Sequence, residues 1–181
     1  DGASIDTSMG FSPQEGVING TRNGSIDAFI VPHIMDKEGL PTDQIRKILD
    51  SESGLLGLSG VSGDMRDLQD AAAAGNDRAR LAVDAFCYSV KKEIGAMTAA
   101  LGGIDALAFA GGIGERASAI RAQICEGMDH LGIDLDDARN DSGPNERELS
   151  SDASRVKSFV VTTDEETIVA RAVTEYLGSL K

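Results

Sequence analysis

Residues 106–117, Ala-Leu-Ala-Phe-Ala-Gly-Gly-Ile-Gly-Glu-Arg-Ala, constrain the fold of this chain most strongly. The apolar half, extended back to Ile104, is typical of a buried strand that ends at Ala110, and glycines after a strand let backbone approach a ligand closely. A helical pattern begins directly after the glycines. Because the first N–H groups of a helix lack partners and its dipole is positive there, a phosphate or a nucleotide edge can be held at that end. Strand, glycine turn and helix together indicate nucleotide binding.

The glycine turn on its own is open to other interpretations. Gly112, Gly114 and Ala117 fit the dinucleotide pattern G-x-G-x-x-A, with Asp134 and Asp136 about 20 residues further on as candidate ribose acceptors. That pattern is typical of an NAD-dependent oxidoreductase. A pair of glycines at the end of a strand is also commonly no more than a tight turn.

The order of patterns along the rest of the chain predicts an α/β fold. Residues 1–10 alternate loosely, as in an edge strand, residues 25–103 form a helical insert, and residues 156–162 form a β-branched strand that leads into a last helix. A chain of 181 residues suffices for one domain and hardly for two, so we expect a single core. Residues 134–154 carry many charges and turn formers, which predicts an exposed acidic excursion.

Composition limits the kinds of partner. A formal charge of -13 argues against nucleic acid and against an anionic membrane, and no apolar run approaches the length needed to cross a bilayer. Cys87 and Cys125 stand in helical patterns without metal-ligand spacing, which favours reduced thiols in a cytoplasmic protein. The chain opens at Asp1 without a methionine or an apolar leader, so we expect a fragment or a processed product.

Two positions in the first half carry chemistry of their own. Arg22 lies in a loop between Gly20 and Gly24, and an arginine held in this way can stabilise charge on a phosphoryl group in transfer. Asp64 and Arg66 lie where a glycine-rich run meets a helical pattern, which predicts an ion pair or a helix cap.

The strand-to-helix turn near residue 163 is acidic. Thr163 and Glu166 have the spacing of a capping box, which would satisfy the first amides of the last helix. Glu165 is left over by that box, and a carboxylate at such a turn can reach Mg2+ through water.

Several motifs taken in order resemble the acetate kinase family over nearly the whole chain, which is far more specific than one glycine pattern. They are Asp-Thr-Ser-Met-Gly-Phe-Ser-Pro from Asp6, Gly-Thr-Arg-Asn-Gly from Gly20, Leu-Ser-Gly-Val-Ser-Gly-Asp-Met-Arg-Asp from Leu58, Gly-Gly-Ile-Gly-Glu from Gly111 and Thr-Asp-Glu-Glu from Thr163. The resemblance implies a ribonuclease-H-like lobe of the acetate and sugar kinase, Hsp70 and actin superfamily. The chain is similar to most of the C-terminal lobe without its first strands. The implied activity is reversible phosphoryl transfer between ATP with Mg2+ and acetate or a similar short carboxylate, which forms an acyl phosphate.

The resemblance also implies site residues by motif position. Arg22 is similar to the arginine that contacts the acyl phosphate, and Glu165 to the glutamate that helps position Mg2+. The implied nucleotide contacts are Asp64, Met65 and Arg66 beside the adenosine, and Gly112, Ile113, Gly114, Glu115 and Arg116 against the adenine and ribose. The sequence departs from the family at Arg116, where asparagine is common, at Asn23, where cysteine or serine is common, and at Ala28, where proline is common.

The same resemblance implies a homodimer for the full-length protein and further catalytic residues in an N-terminal lobe that has no counterpart here. We therefore expect the chain by itself to be inactive. A second hypothesis is a non-catalytic nucleotide-binding or dimer-forming module. An NAD-dependent oxidoreductase ranks last, because it leaves Arg22, residues 64–66 and Glu165 unexplained. For the shared site to exist, strands 104–110 and 156–162 must be neighbours with their following turns at one sheet edge.

Overall fold

The structure, a computed structural model, describes residues 2–179, without the side chains of Glu165 and Ser179. Along the sequence the chain divides into two compact units, Asp1–Ile104 and Asp105–Lys181. The expectation of a single lobe with one core stays a prediction. Among the described residues, no helix combines the length and the apolar composition that crossing a bilayer requires.

The first unit is helical, and its helices fall within the predicted insert. They are α1 Ile30–Glu38, α2 Thr42–Ser51, α3 Gly54–Ser59, α4 Met65–Ala73 and α5 Asp77–Leu101. Helix α1 begins two residues before Pro32, which places this proline in the first turn, where a missing N–H group costs nothing. Helices α3 and α4 pack on α5 around the fully buried side chains of Leu55 and Leu68.

Helix α5 is the longest element and is capped at both ends. The Asn76 side chain accepts a hydrogen bond of 3.0 Å from the Ala79 amide, and Gly102 ends the helix with a φ of 74°. The apolar side chains of Val83, Phe86 and Cys87 are buried, whereas the apolar side chains further along the same helix are half-buried or exposed. The N-terminal half of α5 therefore forms the core of this unit.

The prediction of a strand over residues 1–10 is wrong for the described residues 2–10, which form no strand. Local bonds are made instead: Asp6 Oδ1 accepts from the Thr7 amide at 2.7 Å, and Thr7 Oγ1 accepts from the Met9 amide at 3.2 Å. Side chains of this kind compete with strand pairing, and the segment pairs with no other described strand.

The second unit contains a sheet of β1 Ala106–Phe109, β2 Arg147–Glu148 and β3 Lys157–Val160. The spatial order is β1-β3-β2, in which β1 runs parallel to β3 and β2 antiparallel to it. Phe109 pairs with Val160 at the carboxyl ends of the parallel strands. The prediction that these two strands are neighbours is therefore confirmed, and so is the α/β class.

The α-helices of the second unit, within the described residues, are α6 Gly111–Arg116, α7 Ser118–Cys125, α8 Asp137–Asp141 and α9 Glu165–Ser179, and residues Asp129–Leu131 form a short 3-10 helix. The helical pattern after the glycine turn predicts one helix. The backbone instead breaks at Ala117, with φ of -102° and ψ of 84°, so that α6 and α7 are separate. The predicted apolar face of α9 has side chains that are 51–67 % exposed, at Ile168, Val169, Val173, Tyr176 and Leu177.

Residues 134–154 differ from the exposed excursion that the charges predicted. Leu149 and Ser150 are completely buried, and Asn140 is 4 % exposed. The Ser150 hydroxyl oxygen accepts a hydrogen bond of 2.6 Å from the Ser158 amide in β3. Most of the charged side chains in residues 134–154 are exposed. The same residues also contribute the edge strand β2 and buried side chains, which the number of charges in the sequence does not predict.

Candidate functional site

The loop that carries Arg22 is held by the start of α3. The amides of Leu55 and Leu56 donate to the carbonyl oxygens of Asn19 and Gly20, both at 2.9 Å. The loop carbonyls thereby satisfy amides that have no partner inside the helix. The glycine-rich run before Asp64 thus contains a short helix, α3, that holds the Arg22 loop in place.

Gly54, the first residue of α3, permits this contact. Its φ is 61°, and a Cβ there would lie 2.3 Å from the Asn19 carbonyl oxygen and 2.6 Å from that of Arg22. Only glycine lets the helix approach the loop so closely.

The Arg22 side chain is half-buried and donates from Nη1 to the Pro13 carbonyl oxygen at 3.2 Å. Among the described residues, no ion pair involves Arg22. A guanidinium group has five donors in a planar fork, which suits it to a carboxylate or a phosphate. Arg22 is therefore a positioned cation whose remaining donors can face an anionic ligand.

A cavity of about 450 Å³ lies beside this loop. Its lining includes the apolar Ile26 and Val31 and two amide side chains, Gln14 and Asn23. The Gln14 Oε1 and Asn23 Oδ1 oxygens are buried without a hydrogen-bond partner. The Arg22 loop thus borders a concave surface of mixed polarity.

The segment with Asp64 lies next to the Arg22 loop. A Cβ at Gly20 would come within 2.8 Å of the Gly63 carbonyl oxygen, and one at Gly63 within 2.8 Å of the Gly20 oxygen. The two backbones pack directly against each other at these glycines. The structure therefore brings together the two candidate groups of the first unit.

Asp64 and Arg66 satisfy each other. Asp64 caps α4 by accepting from the Arg66 amide at 2.9 Å, and its Oδ2 lies 2.6 Å from Arg66 Nη2. These hydrogen bonds with Arg66 lower the pKa of Asp64 to about 2. Met65 between them is 4 % exposed and lies in the core. Cap and ion pair, the predicted structural alternatives, are both confirmed, while contacts of these residues with adenosine stay a prediction.

The glycine turn of the second unit is α6 itself. Gly111 opens it with a φ of 72°, and a Cβ at Gly112 would meet no atom within 4 Å, so this side is open. At Gly114 a Cβ would lie 3.3 Å from the backbone of Phe109, the last residue of β1. The turn is therefore packed tightly on its strand on one face and accessible on the other, where Arg116 is exposed.

Glu115 connects this turn with the one after β3. Its Oε1 accepts hydrogen bonds from the Gly111 amide at 3.0 Å, the Thr163 amide at 3.2 Å and the Thr163 hydroxyl at 3.1 Å. The Thr163 amide is the main cause of a lowered Glu115 pKa, followed on the same side by the Thr163 hydroxyl and the Gly111 amide. The sequence analysis predicted that the first amides of this helix are available to a ligand, but the amide of its first residue, Gly111, donates to Glu115.

The predicted capping box of α9 is wrong. Asp164 caps the helix, because its Oδ1 accepts from the Thr167 amide at 3.0 Å and its Oδ2 from the Thr167 hydroxyl at 2.6 Å. Thr163 lies one residue before that cap, and its amide, which a capping box would pair with Glu166, donates to Glu115. Glu165 is the first residue of α9, and its side chain, the predicted Mg2+ contact, lies outside the described part.

Arg121 is a buried cation that the sequence analysis missed. It is 1 % exposed and donates to the Gly114 and Glu115 carbonyl oxygens at 2.8 and 3.0 Å, and to the Asn140 side chain at 2.8 Å. Burial lowers its pKa, but a guanidinium group stays charged at neutral pH. The available signal was an arginine directly after the apolar Ile120, in a stripe that faces the core.

The two aspartates predicted to bind a ribose, Asp134 and Asp136, have partners within the protein. Asp136 caps α8 by accepting from the Arg139 amide at 2.9 Å, and Asp134 accepts a hydrogen bond from the Ser151 hydroxyl. Both candidate ribose acceptors are thus bound within the protein.

The described residues offer hydrogen-bond donors for an anion rather than a metal cage. Among the described residues, no three His, Cys, Asp or Glu side chains cluster as a metal cage would require. Mg2+ is usually held by one or two carboxylates together with substrate phosphates. The open glycine turn fits bound phosphates, whereas the carboxylate predicted for Mg2+, Glu165, has its side chain outside the described part. In the first unit Arg22 and residues 64–66 are neighbours, and in the second the glycine turn and Thr163 are neighbours.

Comparisons with known proteins identify the family. The sequence profile of the acetokinase family matches residues 1–171. The chain is 48 % identical over 170 residues to the acetate kinase of Heliobacterium modesticaldum, covering 94 % of this chain and 43 % of that protein. It is also 48 % identical over 174 residues to the acetate kinase of Methanosarcina thermophila, covering 96 % and 43 %.

Solved structures of such enzymes are also similar. An acetate kinase from Porphyromonas gingivalis matches with a TM-score of 0.87 and 40 % identity, over 94 % of this chain and 43 % of that one. A propionate kinase from Francisella tularensis matches with a TM-score of 0.85 and 39 % identity, over 92 % and 42 %. The chain spans less than half the length of the relatives that it matches.

Proposed function

Because this chain belongs to the acetokinase family, we propose that it forms the nucleotide-binding part of a kinase that transfers a phosphoryl group reversibly between ATP and a short carboxylate. The product in the forward direction is an acyl phosphate. The observation that carries the proposal is the parallel pair of β1 and β3. Both strands end at the same sheet edge, where Glu115 joins the glycine turn to the turn before α9. Ligands in open α/β sheets bind at such edges.

Each candidate site residue has a separate proposed role in phosphoryl transfer, a reaction that depends on positioning and charge neutralisation. Arg22 binds the acyl phosphate oxygens and neutralises charge that develops on the transferring group. Residues 64–66 border the adenosine, and residues 112–116 line its adenine and ribose. Glu165 would help to hold Mg2+, which would supply further charge neutralisation at the phosphates.

The proposed acceptor is a short carboxylate as a class, since solved relatives include an acetate kinase and a propionate kinase. The full-length protein would act as a homodimer in the cytoplasm, a reducing compartment that suits the buried cysteines Cys87 and Cys125. The isolated chain would bind nucleotide without turnover, because phosphoryl transfer also needs an opposing surface that excludes water and holds the acceptor.

Ligand-dependent melting tests the nucleotide part of the proposal. We expect ATP with Mg2+ to raise the melting temperature of the full-length protein and, to a smaller extent, of this chain. Ligand at 100 times its Kd stabilises by about 2.7 kcal/mol, which is several degrees for a domain of this size. ATP with a chelator should give a smaller shift. A shift with NAD alone would favour the oxidoreductase, and no shift with any nucleotide would favour a dimer-forming module.

A further inference from the structure

We propose that Glu115 is a positioning residue that locks the glycine turn to the turn carrying Thr163, so that the nucleotide side and the metal side of the site move as one body. This inference rests on the proposed function and deepens it. Besides the nucleotide contact that the family resemblance implied for Glu115, the geometry points to a role through other residues.

The geometry of the Glu115 carboxylate carries this inference. One oxygen accepts three hydrogen bonds, from the Gly111 amide and from the Thr163 amide and hydroxyl, at 3.0, 3.2 and 3.1 Å. Gly111 follows β1 and Thr163 follows β3, so the carboxylate bridges the ends of two paired strands. Because these donors surround Oε1, that atom is occupied by protein rather than offered to a ligand.

The charge of the side chain matters for this link. Hydrogen bonds to an ionised acceptor are about twice as strong as those between neutral groups. The lowered pKa of Glu115 agrees with an ionised carboxylate at neutral pH. A glutamine would keep an acceptor oxygen in the same place without the charge, and an alanine would remove both.

The two linked turns carry different proposed ligand contacts, for the nucleotide on one turn and for the metal on the other. Gly112, on the open face of α6, comes directly after Gly111, and Glu165 comes two residues after Thr163. Phosphates bound with a metal must meet groups from both turns in one geometry, and a misplacement of about 1 Å costs about 100-fold in rate. A link between the turns therefore maintains the spacing between nucleotide and metal contacts.

The experiment compares Glu115→Ala, Glu115→Gln and Thr163→Val in the full-length protein. Glu146→Ala is the matched control, because Glu146 Oε1 accepts from the hydroxyl of Thr162, the residue before Thr163, at 2.7 Å and, within the described part of the chain, forms no hydrogen bond with the glycine turn. The first readout, without any ligand, is hydrogen exchange at the Gly111 amide. The second is the Mg2+ concentration for half-maximal rate at saturating ATP.

We expect Glu115→Ala to speed exchange at Gly111 and to raise the half-saturating Mg2+ concentration about 10-fold or more, as loss of a supporting hydrogen bond does around metal sites. Glu115→Gln should have an intermediate effect, and Glu146→Ala almost none. The double variant Glu115→Ala with Thr163→Val should be no worse than Glu115→Ala alone.

Two negative outcomes are distinct. Unchanged Gly111 exchange, or a Mg2+ requirement that shifts no more than in Glu146→Ala, would overturn the positioning role even if the enzyme is an active kinase. A full-length protein without kinase activity would reject the proposed function, while the exchange measurement would still report on the link.

Discussion

Replacing Arg22 by alanine in the full-length protein should lower kcat by about 1,000-fold while the KM for ATP changes little, because an arginine that stabilises a transferring phosphoryl group acts mainly in the transition state. Arg22 is fixed by its loop and, within the described residues, enters no ion pair, so its charge is available for that role. Initial-rate kinetics with ATP and the carboxylate varied separately measure the effect.

Arg22→Lys and Arg46→Ala complete the comparison. The lysine keeps the charge and loses the planar fork, so it should recover only part of the rate. Arg46 is an exposed arginine of α2 in the same unit, and its replacement should leave kcat unchanged. Equal losses in kcat and in ATP affinity for Arg22→Ala would make it a ground-state nucleotide contact instead.

Gly54→Ala should destabilise this chain by about 3 kcal/mol or more, combining left-handed backbone strain with a collision in a packed region. The new Cβ would lie 2.3 Å from one loop carbonyl oxygen and 2.6 Å from the Arg22 oxygen, so helix and loop must separate. Urea unfolding, compared through the midpoint and the slope, measures the change.

Gly39→Ala is a closely matched control for Gly54→Ala. Gly39 has a φ of 64°, nearly that of Gly54, and a Cβ there meets no atom within 4 Å. Its replacement carries the backbone strain alone, about 1 kcal/mol. If both variants lose the same stability, the close approach of α3 to the Arg22 loop does not hold in solution.

Sequence patterns predicted the elements whose stability is local. The apolar runs before Gly111 and Thr163 identified the two paired strands. Glycine-rich motifs also located the candidate residues, because turns that need glycine carry a direct sequence signal.

The features that sequence analysis missed depend on contacts between distant segments. Helix α3 is only six residues long, contains Gly54 and Gly57, and is stabilised by carbonyl groups of the loop at residues 19–24. Thr163 has capping-box spacing but binds Glu115, so Asp164 caps α9 in its place. Arg121 is buried because carbonyl oxygens on α6 and the Asn140 side chain receive its donors, and none of these partners is apparent from its local sequence.

Acyl phosphate formation tests the central proposal most directly. The full-length protein is incubated with ATP, Mg2+ and acetate, and the acyl phosphate is trapped as a hydroxamate while ADP is measured in parallel. We expect hydroxamate and ADP in equal amounts at roughly 1 to 100 turnovers per second, with none from this chain alone. ADP released without hydroxamate from acetate or any other short carboxylate would contradict the account, because the phosphoryl acceptor would then not be a carboxylate.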